Sequence, residues 1–158
     1  MAQQDHPPMA LAGLKVLDLS RILAGPSATQ LFADLGADGV KVENPDGGDD
    51  TRRWGPPFTR RADGVRGDAA YFSACNRNKR SITVDFASTA GADLLRDLAA
   101  KADIIVENFR PGGLQKYGLD YASIATINPR IIYCSITGFG QTGPYAHRPG
   151  YDFLIQGM

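Results

Sequence analysis

The basic residues Arg52, Arg53, Arg60, Arg61, Arg66, Arg77, Lys79 and Arg80 fall in one stretch whose only acids are Asp63 and Asp68. Arginine offers a planar fork to phosphate oxygens and lysine a compact charge. The segment Asn76, Arg77, Asn78 and Lys79, just ahead of an apolar run, is therefore a candidate for holding a pyrophosphate or a ribose phosphate. The opposing reading is a solvated loop whose arginines balance Asp46, Asp49 and Asp50, and charge runs more often behave that way. A second candidate is Asn108, Phe109, Arg110, Pro111 and Gly112, at the end of another apolar run. Asparagine can bond a base or an amide, phenylalanine can cover a flat ring, and arginine can meet phosphate. Pro111 and Gly112 are equally ordinary turn residues, and Phe109 could simply cap the core.

Gly138, Gly140 and Gly143 spell G-x-G-x-x-G after a predicted strand. That dinucleotide fingerprint requires a long helix opening at the third glycine. Pro144, Pro149 and Gly150 leave room for about one turn, so the motif reads as a glycine turn permitting close backbone approach. Nucleophilic chemistry is thinly provided. His6 lies in the leader and His147 in the glycine and proline turn, and no Ser-His-acid order assembles from them. Asp152, beside Tyr151, reads as a site carboxylate or, more commonly, a helix cap. Asp18 and Glu107 stand at or near predicted strand ends.

The elements that must position these residues follow from periodicity. Leu14 to Leu19 reads as a buried strand, and Gly25 and Pro26 open a helix with Ala28, Leu31, Phe32 and Leu35 on one stripe. Gly39 to Glu43 is a second strand. From Asn44 to Gly67 the pattern dissolves, which marks a functional or mobile loop. Ser81 to Phe86 is a strand, Ser88 the N-cap of a helix presenting Leu94, Leu95 and Leu98, and Asp103 to Glu107 a strand. Short helices are predicted over Pro111 to Tyr117 and Tyr121 to Ile127, with a strand over Arg130 to Ile136. This βαβ rhythm predicts an α/β fold: an open, mostly parallel, Rossmann-like sheet with flanking helices. Residues 1–10 read as a disordered leader and residues 11–158 as one unit. The apolar run Tyr151 to Met158 starts like a helix and stops, as if a larger domain continued beyond it.

Basic and acidic residues balance at 17 each over 158 residues, which gives no reason to expect nucleic acid or a membrane surface as partner. The two cysteines, Cys75 and Cys134, lie far apart without neighbouring metal ligands, so neither a metal site nor a disulfide framework is expected and a cytoplasmic setting fits.

The segments LAGLKVLDLSRILAGP (11–26), DLGADGVKVENP (34–45), GDDTRRWGPPF (48–58), NRNKRSITVD (76–85), ADIIVENFRPG (102–112) and YCSITGFGQTGPYAHRPGYD (133–152) together resemble the class III, CaiB/BaiF-type, coenzyme A transferases. The likeness runs from about Leu11 to the last residue and leans toward the succinate-hydroxymethylglutarate and formyl-CoA types. It implies coenzyme A or an acyl-CoA as substrate, with Leu23, Ala24, Asn76, Arg77, Asn78, Lys79, Asn108, Phe109, Arg110 and Lys116 against the nucleotide and pantetheine arm. Asn44 stands where the family often has arginine, which removes one phosphate contact, and Lys116 replaces an arginine seen in some relatives. The resemblance further implies transfer of CoA to a free carboxylic acid through an aspartyl anhydride and an aspartyl-CoA thioester. The family aspartate falls beyond Met158, so no turnover is expected of this chain alone. Tyr151 and Asp152 remain possible assisting groups, and interlocked homodimers are implied for full-length members. In the α-methylacyl-CoA racemase branch a histidine base takes the place of Tyr151, and a phenol substitutes poorly for imidazole near neutral pH. A non-catalytic CoA or adenine-nucleotide binding module is the other alternative.

Overall fold

Short apolar strands separated by helices pair side by side, since each crossover is long enough to return the chain to the same edge. The computed structural model of the protein describes residues 8–158. Its strands are β1 (Lys15–Asp18), β2 (Asp38–Glu43), β3 (Phe58–Arg60), β4 (Arg66–Ala69), β5 (Lys79–Thr83), β6 (Ile104–Glu107) and β7 (Ile132–Ser135). The helices are α1 (Ala24–Asp34), α2 (Ala70–Asn76), α3 (Thr89–Ala99), α4 (Tyr121–Ile127) and α5 (Asp152–Gln156), with 3₁₀ turns at Asp50–Arg53 and Gln115–Tyr117. Five strands form one parallel sheet in the order β5-β2-β1-β6-β7, and β3 and β4 make a separate antiparallel hairpin. The expected Rossmann-like sheet is what the chain builds.

Alternation along the strands divides the core. Leu17, Val42 and Ile105 face Leu95, Ala99 and Ile124 of α3 and α4. Val16, Ile104 and Val106 face the other way, with Phe32 of α1 packed against them. Ser88 caps α3 as expected, its hydroxyl accepting from Gly91 N–H at 3.1 Å.

Four expectations shift. The stripe expected to bury α1 is only partly inward: Ala28 and Phe32 are half-buried and Leu31 and Leu35 are exposed, while Gly25, Pro26, Thr29, Gln30 and Ala33 form the buried face. Polar Thr29 faces inward because a buried carboxylate awaits it there, and period alone does not reveal such a partner. On α3, Leu95 is buried and Leu94 is exposed. The stretch 44–67 is not structureless, since it holds a 3₁₀ turn and most of the β3–β4 hairpin, whose register shift hides its period. The third sheet strand begins at Lys79 rather than Ser81, and α2, unforeseen, precedes it. The expected leader lies mostly outside the described residues, as does His6; the unit expected to follow it opens with Leu11, whose N–H donates to Leu35 O at 2.9 Å.

Candidate functional site

All five sheet strands point the same way, so the turns after β1, β2, β5, β6 and β7 share the carboxyl edge. The chain runs outward from β1 through β2 to β5 on one side and returns to β6 and β7 on the other, so the order reverses between β1 and β6, and open α/β sheets bind ligands at such a switch point. The turn after β1 carries Arg21, Ile22, Leu23 and Ala24, and the turn after β6 carries Asn108, Phe109 and Arg110. Asn108 ties them together: its Oδ1 accepts from Arg21 N–H at 2.8 Å and its Nδ2 donates to Arg21 O at 2.7 Å. Both ends of that amide are thus engaged by main chain, which leaves one N–H and one oxygen lone pair of Asn108 for a ligand. The same two bonds fix the crevice.

Phe109 lies beside it. The Arg21 guanidinium sits 5.3 Å from its ring centre, and Phe86, in the turn after β5, meets it edge-on at 5.7 Å. Phe86 also packs edge-on against Tyr117 at 5.3 Å, and Lys116 Nζ stands 4.7 Å from the Tyr117 ring centre. Leu23 and Ala24 are exposed on the same edge, and Arg110 and Lys116 are exposed with no ion pair among the described residues. An aromatic floor with unpaired cations at its rim suits a flat heterocycle carrying phosphates. Sequence reasoning missed Phe86 and Tyr117. The available signal for Phe86 was an aromatic residue closing a predicted strand; Tyr117, at the end of a predicted helix, carried none.

Other expected site residues are placed elsewhere. Because β5 begins at Lys79, opposite Gly39 near the start of β2, the segment ahead of it meets the amino edge of the sheet, not the carboxyl edge. There Arg77 pairs with Asp34 at 2.5 Å and Asn78 donates to the same carboxylate at 2.8 Å. Those contacts hold the Asp34 carboxyl below its usual value. Lys79 is turned inward, where its ammonium meets Asp18 Oδ2 at 3.0 Å, Pro26 O at 2.8 Å and Asn76 Oδ1 at 3.0 Å. All three of its donors are satisfied, so the expected phosphate contacts of Lys79 and Asn76 are corrected to a structural role. Burial depresses the Lys79 ammonium, against the pull of Asp18. Asn44 is exposed after β2, but its Oδ1 accepts from Asp46 N–H at 2.9 Å and shapes the turn. Tyr151 is exposed as the N-cap of α5, and Asp152 does not cap that helix; it accepts from Gln156 Nε2 at 2.9 Å. The glycine turn after β7 carries no long helix, and Gly138 lies against Gly150 so closely that a Cβ on it would fall 2.3 Å from the Gly150 Cα.

Beneath the carboxyl edge lies a buried charge network. Asp18 Oδ2 also accepts from Thr29 Oγ1 at 2.6 Å. Lys41 pairs with Asp49 at 2.9 Å, and Glu43 takes Arg52 through two nitrogens at 2.6 and 2.7 Å and Ser81 Oγ at 2.5 Å. Arg52 continues to Asp68 at 2.6 Å and stacks over Phe72 at 3.7 Å. Burial pushes the Glu43 and Asp49 carboxyls up, but Arg52 and Ser81 at one, and Thr51 and Lys41 at the other, hold both below their usual values. Of the rest of the arginine-rich stretch, Arg53 pairs with Asp50 and Arg80 with Asp38 in largely exposed pairs, and Arg60, Arg61 and Arg66 are exposed with no ion pair among the described residues.

A model of CoA-transferase family III matches residues 11–158. The chain belongs to that family. It is 59% identical over 148 residues to the succinate–glutarate CoA-transferase of Agrobacterium fabrum, covering 94% of this chain and 37% of that protein. It is 52% identical to the succinyl-CoA:glutarate CoA-transferase of Homo sapiens, with 94% of this chain and 32% of that protein covered. A crystal structure of a CAIB/BAIF family protein from Brucella suis superposes with a TM-score of 0.90 at 62% identity, over 96% of this chain and 39% of that one. The chain thus spans about a third to two fifths of the length of these CoA-transferase family III relatives.

Proposed function

We infer that the chain forms the coenzyme A cradle of a CoA transferase that moves CoA from an acyl-CoA thioester to a free carboxylic acid. The observation that carries this reading is the joining of the β1 and β6 turns by Asn108 at the switch point, with Phe86, Phe109, Tyr117, Arg21 and Lys116 on the same edge. The rings cover the adenine, the cations meet the phosphates, and Leu23 and Ala24 lie along the pantetheine arm. Arg77 and Asn78, at the opposite edge, drop out of the cradle.

In the reaction that family membership supports, an aspartate carboxylate attacks the thioester carbonyl, the C–S bond breaks and CoA leaves as thiolate. The thiolate then attacks the aspartyl carbonyl and releases the donor acid. The incoming acid's carboxylate attacks this aspartyl-CoA thioester and expels CoA thiolate, which attacks the acceptor's carbonyl in the resulting anhydride and regenerates the aspartate. No residue of this chain is assigned as that nucleophile. The Agrobacterium fabrum and Homo sapiens relatives carry succinate or succinyl-CoA and glutarate in their names, so short dicarboxylic acids are the proposed acid class.

Titrating CoA into the chain calorimetrically tests the cradle. Saturable heat is expected, weakening about tenfold in Lys116→Ala and in Phe109→Ala. A flat titration, or variants that bind as tightly as the parent, would overturn it.

A further inference from the structure

Ile22 has φ of 67°, a left-handed conformation that β-branched residues rarely adopt. It lies in the turn that ends in Leu23 and Ala24, the residues placed along the pantetheine arm. Strain of this kind persists only where surrounding groups over-determine it. Asp49 reaches across from the loop after β2, and its Oδ2 accepts from Ile22 N–H at 3.2 Å. Lys41, buried on β2, pairs with the same Oδ2 at 2.9 Å and donates to Ser20 O at 2.9 Å. Asp49 is itself fixed, because Oδ1 accepts from the Thr51 amide at 3.0 Å and hydroxyl at 2.7 Å, and its own N–H donates to Glu43 at 2.8 Å. Gly25 presses onto the same turn, where an added Cβ would fall 2.2 Å from the Ser20 Cβ. An ion pair serving stability alone needs only Lys41 and Asp49. Here each partner also holds a main-chain atom of the ligand-facing turn, two residues apart.

We propose that Asp49 and Lys41 are positioning residues for CoA binding: they clamp the β1–α1 turn in its strained shape and present Leu23, Ala24 and the start of α1 ready-made. The inference rests on the CoA reading above. Preorganisation of this kind removes the cost of ordering the turn when ligand arrives.

The test replaces the pair by apolar residues of similar volume, Lys41→Met with Asp49→Leu, an exchange that buried ion pairs often tolerate. A folded protein by circular dichroism is expected, with faster amide exchange at Ile22 and CoA affinity about tenfold weaker. Adding Ile22→Gly should recover only part of that loss, because glycine takes a left-handed φ at little cost but leaves the turn to be ordered when ligand arrives. Should the pair variant not fold, Ile22→Pro asks the same question from the turn side, since proline lacks the N–H and cannot take that φ. It should weaken CoA about tenfold. Parent-like CoA binding by the pair variant or by Ile22→Pro would overturn the clamp. If the parent chain itself takes up no CoA, the cradle reading fails instead. The clamp is then judged by amide exchange, and unchanged protection at Ile22 in the pair variant overturns it.

Discussion

Arg52 and Arg53 are neighbours in sequence with opposite fates. Arg52 grips Glu43 through two nitrogens, and the Glu43 side chain is only 1% exposed while that of Arg52 is 24% exposed. Removing the guanidinium strands a buried carboxylate, so Arg52→Ala should cost about 3 kcal/mol, the low end for a broken buried pair because the arginine is partly wet. The Arg53–Asp50 pair is largely in solvent, and Arg53→Ala should change stability by less than about 0.5 kcal/mol. Urea denaturation of the two variants measures the contrast. Glu43 and Asp49 are both held below their unfolded values. Their contribution is therefore complete above the ordinary carboxylate pKa of about 4 and is lost as pH falls through the lower folded values. The urea midpoint should stay level from about pH 7 to about pH 5 and fall below about pH 4. Glu43→Gln should flatten that fall, and an unchanged profile in that variant would remove Glu43 from the account.

At the scale of elements, α3 shows how a cap and a core contact share one helix. Ser88 Oγ accepts from Gly91 N–H, and Leu95 is wholly buried against the sheet. Ser88→Ala should cost about 1 kcal/mol and Leu95→Ala about 2–5 kcal/mol, both read from equilibrium unfolding. Gly91 reverses the usual rule. Alanine normally favours a helix interior over glycine, yet a Cβ here would fall 2.0 Å from the Asp85 carbonyl oxygen. Gly91→Ala should therefore destabilise by about 1–3 kcal/mol, and a gain in stability would contradict the close approach. The cap of α3 was legible because Ser88 precedes an apolar period. The buried face of α1 was not, because the partner of Thr29 is Asp18 on another element.

On the scale of the whole molecule, the two faces of the sheet are unlike. The α3 and α4 side is an apolar core, and the α1 side shares its interior between Val16, Ile104 and Val106 and the charges of Asp18, Lys41 and Glu43. At the far end α5 leaves Tyr151, Phe153 and Met158 in solvent, Phe153 at 90% exposure. A side chain without packing contributes little to unfolding, so Phe153→Ser should shift the stability of the chain by less than about 0.5 kcal/mol. A larger loss in urea denaturation would mean that α5 docks on the core. None of the helices among the described residues is long and apolar enough to cross a membrane.

The sequence by itself determined the parallel sheet, the helix after Ser88, the family, and the place of the Asn108 turn at a strand end. These are properties of local period, of strand ends and of motifs in order, all written along the chain. Only the tertiary structure decided which turns share an edge. It sent Arg77 and Asn78 to the amino edge, turned Lys79 inward onto Asp18, tied the Asn108 amide to the Arg21 main chain, and brought Phe86 beside Phe109. A charged or aromatic side chain has the same letter whether it meets solvent, a ligand or a buried partner. The outcome depends on which opposite charge or ring the fold brings within a few ångströms, and for these residues that partner lies on a different element.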